Sequence, residues 1–468
     1  MTNYLLKGGT VATSVQGSDE PRVFKADILI EGNTITRVEE NIPPEPGVEV
    51  IVCQDKWITP GFVDTHRHVF MTVLRGTQCD WLLTEYLVKM AWSLQGTVTP
   101  EEVGIGTLAG LLEALHNGVT TILDHFHAAH TPEHAEAALK ATIESGARVI
   151  WAPARQSPPT RLFPSPEWGN DAQTGSLGGG KLRPDGRVTL GLAYEIFHWE
   201  GTVPTHQEFL AYARANNVKT ITAHVVKSPA ILGWRDAGLL GPDVVLSHCN
   251  ALADRPALDD EMWKALKDSG AAIGATPEDE LGMAHGNPVA LDALKRGVKC
   301  GLGVDCLSIN SGDMFTQMRI VLQWARGHDH ERIHLNKEKP PFKNKYNSAD
   351  VFRLGTLGGA EALNLAHLIG TVEVGKRADL LVFDANSVNL GGIEDPIAGV
   401  VFHASSEDVE VVFVDGEIVK KNHKLVRDWA PVVKELKHRA DDIRKRWPAE
   451  ALDERWKQWY DTNGAPTI

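Results

Sequence analysis

Residues 60–68 read Pro60-Gly61-Phe62-Val63-Asp64-Thr65-His66-Arg67-His68, an apolar start running into a polar end that carries two histidines. Side chains alternate across a strand, so His66 and His68 share one face while Arg67 points away, and two imidazoles so placed suit one metal ion. By itself the pair does not separate metal ligands from satisfied polar residues. Outward from it, an apolar strand followed by a helical stretch recurs, with strands expected at 58–63, 119–123, 148–152, 188–193, 220–226, 244–246, 271–275 and 300–304. Between them, segments such as 132–145, 205–216, 256–268 and 288–296 repeat apolar residues at three and four positions, as helices do. Eight alternations of this kind specify an α/β fold, a (β/α)8 TIM barrel, here expected over residues 58–369.

The flanks read differently. Short apolar runs separated by Gly8-Gly9 and Glu31-Gly32-Asn33 make residues 1–57 a small β unit. After a helical stretch at 349–363 the chain returns to strands at 378–383, 398–401 and 409–414. Neither end has enough strands to close a core alone, so 1–57 and 370–426 are expected to form one β-sandwich domain. Residues 427–468 read as a charged helical tail bearing Trp447, Trp456 and Trp459, packing on the barrel or on a second subunit; a homodimer is expected. The Pro- and Gly-rich connection 156–186 is a candidate lid.

Composition narrows the function. Of 468 residues, 47 are Lys or Arg and 61 Asp or Glu, a net charge of −14 that repels phosphate backbones and anionic lipid surfaces. Neither nucleic acid nor membrane is therefore an expected partner; a small-molecule substrate is. With 43% hydrophobic residues the chain is globular rather than disordered. Five widely spaced cysteines with no CxxC pair point to a reducing, cytoplasmic compartment.

Ligand-type residues end four of the expected strands: His66 and His68 on the first, His224 on the fifth, His248 on the sixth and Asp305 on the eighth. In a barrel the carboxyl ends of the strands meet at one mouth, so these residues converge. Imidazoles and a carboxylate suit one divalent ion of the zinc type with a position left open to water.

These residues, with Met71-Thr72-Val73-Leu74-Arg75-Gly76, Leu112 to Thr121, Gly301-Leu302-Gly303-Val304-Asp305 and Gly370 to Leu380, resemble the amidohydrolase superfamily, in particular its cytosine deaminase and triazine hydrolase (chlorohydrolase) branch. The resemblance runs to about Val426. It implies that His66, His68, His224 and Asp305 ligate one metal, zinc or iron. It further implies that His248 hydrogen-bonds the activated water or the substrate oxygen, and that Asp305 takes the proton. A metal-dependent hydrolase acting on a non-peptide carbon–nitrogen bond of a cyclic or heteroaromatic small molecule is the function expected.

One position departs from the pattern. Deaminases of this family usually carry glutamate three residues after the strand-five histidine, where it shuttles the proton; here the run is His224-Val225-Val226-Lys227. A lysine does not replace a carboxylic acid in that role without a strongly lowered pKa. Lys227 then reads either as an ion-paired surface side chain or as a contact for an anionic substrate group. Strand seven offers compensation in Pro277-Glu278-Asp279-Glu280 and His285: Glu278 or Glu280 for acid–base work and His285 for the substrate, unless Asp279 and Glu280 merely open a solvated helix. Asp124 to His127 and Glu195 to His198 are further candidates for the mouth. Met71, Trp81, Tyr86 and Trp92 offer an apolar wall for a flat ring, or ordinary core. Competing with the hydrolase are a metal-dependent lyase or isomerase that has lost the proton shuttle, and a catalytically silent barrel kept for binding or assembly.

Overall fold

The computed structural model describes residues 2–155, 182–198, 201–226, 230–253, 255, 257, 260–339 and 341–464. Most of the candidate lid, residues 156–181, and Lys227 lie outside the described residues. Five strands open the chain: β1 (Asn3–Thr13), β2 (Arg22–Glu31), β3 (Thr34–Glu39), β4 (Val48–Val52) and β5 (Lys56–Pro60). Ten follow: β6 (Phe62–His68), β7 (Val119–Phe126), β8 (Arg148–Arg155), β9 (Val188–Leu190), β10 (Leu192–Tyr194), β11 (Ile221–Val225), β12 (Val244–His248), β13 (Ala272–Ala275), β14 (Lys299–Leu302) and β15 (Asp305–Cys306). The last four are β16 (Leu380–Asp384), β17 (Val409–Val414), β18 (Glu417–Lys421) and β19 (Lys424–Leu425).

Two sheets result among the described residues. The ten middle strands are paired in parallel from β14 through β6, and β15 returns to pair with β6. The eighth barrel strand is thus broken at Gly303-Val304: its first half bonds β13 and its second half bonds β6, which brings the two ends of the sheet together as a barrel requires. Leu123, Ile150, Ala193, Val245 and Ala272 fill the interior with bulky and small side chains in turn. The second sheet runs β19-β18-β17-β16-β5-β1-β2-β3 and so draws strands from both chain ends, β5 and β16 pairing antiparallel with Leu381 opposite Thr59.

Two sequence expectations need correction. Residues 58–63 are not one strand: Ile58 to Pro60 belong to the second sheet, and the barrel strand begins after Gly61, where any side chain would strike Thr120 at 2.2 Å. Residues 398–401 are helical, within Pro396–Phe402. The apolar, valine-rich run mimics a strand, but Asp395 accepts hydrogen bonds from the amides of Ile397 and Ala398, and Pro396 sits at the first helical position. The tail is two helices, Trp429–Arg446 and Ala449–Asn463, broken at Trp447-Pro448. It packs on the barrel's first turns: Arg446 donates to Glu102 at 2.7 Å, the Trp447 indole to Thr97 at 2.7 Å, and buried Lys89 pairs with Asp453 at 2.6 Å.

The opposite, amino-terminal ends of the barrel strands are tied to the second sheet by buried charges. Arg148, opening β8, makes a bidentate pair with Asp379 at 2.9 and 3.0 Å and reaches Asp415 at 3.0 Å, while the Asp415 amide donates to Asp379 at 2.7 Å. Arg187, just before β9, pairs with Glu417 at 2.8 Å.

Candidate metal centre

At the carboxyl ends of the barrel strands the chain brings His66, His68, His224 and Asp305 together, one ligand atom from each lying within 4.8 Å of the others. His66 and His68 project from β6, His224 from β11, and Asp305 begins β15 beside Arg67. His66 Nε2 and His68 Nε2 lie 3.3 and 3.2 Å from Asp305 Oδ1, and His68 Nε2 lies 3.2 Å from His224 Nε2. Ligands 2.0–2.1 Å from a tetrahedral ion stand about 3.3 Å apart, so the spacing fits.

The hydrogen bonds behind the rings decide which nitrogens are bare. His68 Nδ1 sits 2.7 Å from the His125 carbonyl oxygen, which only accepts, so Nδ1 carries the hydrogen and Nε2 presents a lone pair. His224 Nδ1 likewise donates to Glu195 Oε1 at 3.1 Å. Two lone pairs then face each other across 3.2 Å, and His66 Nε2, which makes no hydrogen bond, points to the same spot. Three nitrogens and a carboxylate oxygen so disposed call for a cation among them.

Burial sets the charge states. It drives His66 down to about 4 and His125, His127 and His248 well below the usual imidazole value, leaving neutral rings, the form that ligates. His224 is raised: burial opposes its charge, but Glu195 outweighs it.

Glu195 stands behind His224 rather than in front of it. Its Oε1 accepts from the His224 backbone amide at 3.0 Å and from Nδ1 at 3.1 Å, and lies 3.3 Å from His125 Nε2. A carboxylate in that position orients the ring and raises its basicity. The Glu195→Gln enzyme is therefore expected to bind zinc about 10- to 100-fold more weakly, as measured by competition with a chromogenic chelator. An unchanged dissociation constant would remove Glu195 from this role.

His248 lies on the other flank, with Nε2 3.6 Å from Asp305 Oδ2 and Nδ1 2.9 Å from the Thr276 hydroxyl. His248, Cys249 and Asp305 all have left-handed backbones, with φ of 71°, 58° and 70°. Such conformations cost about 1–3 kcal/mol in non-glycine residues and cluster where side chains must be aimed.

Of the strand-seven residues, Glu280 is fully buried; burial raises it to about 8, and its Oε1 accepts from the Thr276 amide at 2.8 Å. Glu278, raised to about 7 by burial and by Asp313, is hydrogen-bonded at 2.8 Å to Gln317 on the helix Met314–Leu335. The reading of Asp279 and Glu280 as a solvated helix start is overturned, because both are wholly buried. Asp279 was missed as a site residue: it sits beside Asp305 and Cys306, and burial together with Asp305 pushes its carboxyl well up. No sequence signal distinguishes it from its neighbours; only the turn at Thr276-Pro277 decides that it points inward. His285 packs edge-on to His248 at 4.9 Å between ring centroids. His125 and His127 join the cluster, at 4.3 Å from His224 and 4.2 Å from His68. Met71 and Tyr86 are core, linked through Gln95, whereas Trp92 is 56% exposed on the helical segment Leu87–Leu94.

Known proteins share this frame. The amidohydrolase family profile matches residues 57–419. A 5-methylthioadenosine/S-adenosylhomocysteine deaminase of Thermococcus kodakarensis is 29% identical over 85% of this chain and 90% of its own. A 5'-deoxyadenosine deaminase of Methanosarcina mazei is 26% identical over 95% and 99%. In fold, a zinc-bound adenosine deaminase of Xanthomonas campestris superposes with a TM-score of 0.80, at 21% identity over 94% of this chain and 98% of that one. A variant atrazine chlorohydrolase of Arthrobacter aurescens, complexed with zinc and atraton, reaches 0.79 at 21% identity over 93% and 100%.

Proposed function

The chain belongs to the amidohydrolase family, and from that premise we propose that it is a zinc-dependent hydrolase directing an activated water at a non-peptide carbon–nitrogen bond of a cyclic or heteroaromatic small molecule. The convergence of three imidazole nitrogens and the Asp305 carboxylate within 4.8 Å of one another carries this reading. His66, His68, His224 and Asp305 would hold one ion, with iron the alternative to zinc. When bound, such an ion lowers the pKa of a coordinated water from 15.7 to about 7, supplying hydroxide at neutral pH.

The chain's own groups do the rest. Asp305 turns Oδ1 toward His66 and His68 and Oδ2 toward His248, so Oδ2 would take up the proton released from the water. His248, held over that oxygen, steadies the negative charge that develops on the attacked group. Glu280, neutral at pH 7 and 3.8 Å from His248 Nδ1, is the proton store we favour, with Glu278, bonded to Gln317, the alternative. His285, edge-on to His248, is assigned to the substrate. Free cysteines throughout the chain support a cytoplasmic setting, and among the described residues no helix is long and apolar enough to cross a membrane.

The named activities of the sequence relatives make purine nucleosides the first substrates to test. Lys227 favours a second reading: a lysine where family deaminases carry glutamate suits an anionic substrate, or a lyase or isomerase that needs no such shuttle. The zinc-loaded enzyme is expected to release ammonia from a member of a panel of 5'-modified adenosines, aminopyrimidines and aminotriazines, and Lys227→Glu to raise that release from simple aminoheterocycles. Full zinc loading with no ammonia from any member, in either enzyme, would favour the second reading. A chain that takes up no metal would be left as a binding barrel.

A further inference from the structure

Thr276 joins β13 to the helix Pro277–Gly282 and is wholly buried. Its amide donates to Glu280 Oε1 at 2.8 Å, which fixes the residue in place. Its hydroxyl lies 2.9 Å from His248 Nδ1 and 3.4 Å from Asp305 Oδ2. We propose that Thr276 is a positioning residue whose hydroxyl selects the tautomer of His248, and thereby makes its Nε2 a hydrogen-bond donor toward the reacting oxygen. The proposal rests on the role given to His248 above.

The Thr276 hydroxyl has one hydrogen for two acceptors, and His248 Nδ1 at 2.9 Å is the nearer of them, Asp305 Oδ2 standing at 3.4 Å. Nε2 faces the Asp305 carboxylate at 3.6 Å, where a lone pair would be repelled, so Nε2 carries the hydrogen. A neutral imidazole has only one, so Nδ1 is then an acceptor and needs a donor. Glu280 Oε1, at 3.8 Å, is beyond hydrogen-bond reach and is engaged by the Thr276 amide. His224 stacks on the His248 ring with centroids 5.5 Å apart, and His66 and His285 meet it edge-on at 5.3 and 4.9 Å. The Thr276 hydroxyl supplies the hydrogen to Nδ1. Were the hydroxyl turned to Asp305, His248 would be driven to the other tautomer and would present a lone pair where negative charge develops.

The decisive measurement needs no substrate. In zinc-loaded protein labelled with ¹⁵N-histidine, with the His248 signals identified by their loss in His248→Gln, Nδ1 is expected to be of the unprotonated type and Nε2 of the protonated type. Thr276→Val, nearly the same shape without the hydroxyl, is expected to change that pattern at unaltered zinc content, and Thr276→Ser to restore it. With a substrate found by the ammonia screen, Thr276→Val should lower kcat roughly 10²-fold with little change in KM, and Thr276→Ser should recover it. A protonated Nδ1 in the unmodified enzyme, an unchanged His248 spectrum in Thr276→Val, or equal turnover in the two enzymes would overturn the proposal. Failure of the ammonia screen would count against the hydrolase reading alone and leave the spectra to decide on Thr276.

Discussion

The Asp305→Asn enzyme is expected to stay folded, lose most of its zinc and show no measurable turnover. Asp305 has a φ of 70°, a conformation asparagine adopts far more readily than alanine, so the backbone is kept and the change is confined to the carboxylate. Among the described residues its Oδ1 is the single anionic atom facing His66 and His68, at 3.3 and 3.2 Å; a neutral amide in its place is a much weaker ligand and takes up no proton at Oδ2. Without the ion, water returns to a pKa of about 15.7, and hydroxide at neutral pH becomes rarer by many orders of magnitude. Metal analysis beside a turnover assay checks this. An Asp305→Asn enzyme with full zinc and activity within tenfold of the original would mean that Asp305 neither ligates nor accepts the proton.

The largest effect on stability belongs to the far end of the barrel. Asp379→Ala removes the partner of the bidentate bond from Arg148 and leaves a guanidinium buried against Asp415 alone. Removing one member of a buried ion pair costs about 3–5 kcal/mol, because the remaining charge is stranded in a low dielectric. Urea denaturation should show that loss, and pairing the change with Arg148→Met should return part of it, since an apolar pair buries no charge. The zinc content of the folded fraction should be unaltered, as the ligands sit at the opposite strand ends. A midpoint equal to that of the unmodified protein would show that the second sheet is held to the barrel by other contacts.

That pair also shows how far the sequence could be read. The run Arg377-Ala378-Asp379-Leu380 was recognisable as part of a family pattern, but nothing in it said that Asp379 reaches Arg148, because the partner is more than two hundred positions away. The barrel is legible because strand and helix periods alternate regularly, and the cluster of His66, His68, His224 and Asp305 because its members end strands. Misreadings arose where local pattern and tertiary context disagree. Ile58 to Val63 is continuous in hydrophobicity, yet Gly61 passes the chain from one sheet to the other. Pro396–Phe402 carries β-branched residues, yet its cap makes it a helix. The left-handed backbones of His248 and Asp305, which aim the two side chains, leave no trace in composition, since both positions hold ordinary polar residues. Asp279 and the hydroxyl of Thr276 are of the same kind: what they touch depends on a turn, not on a period.

The break in the eighth strand at Gly303-Val304 reaches beyond the chemistry. Asp305, which resumes that strand, is also the first residue to pair with β6, so the seam between the barrel's last and first strands passes through the ligand set. An ion held by His66 and His68 on one side and Asp305 on the other would cross-link that seam, fastening a loop of about 240 residues whose closure entropy alone amounts to about 5 kcal/mol. The proposed ion would in this sense be a clasp on the polypeptide as well as a reagent. Chelation would then take away a topological restraint along with the chemistry.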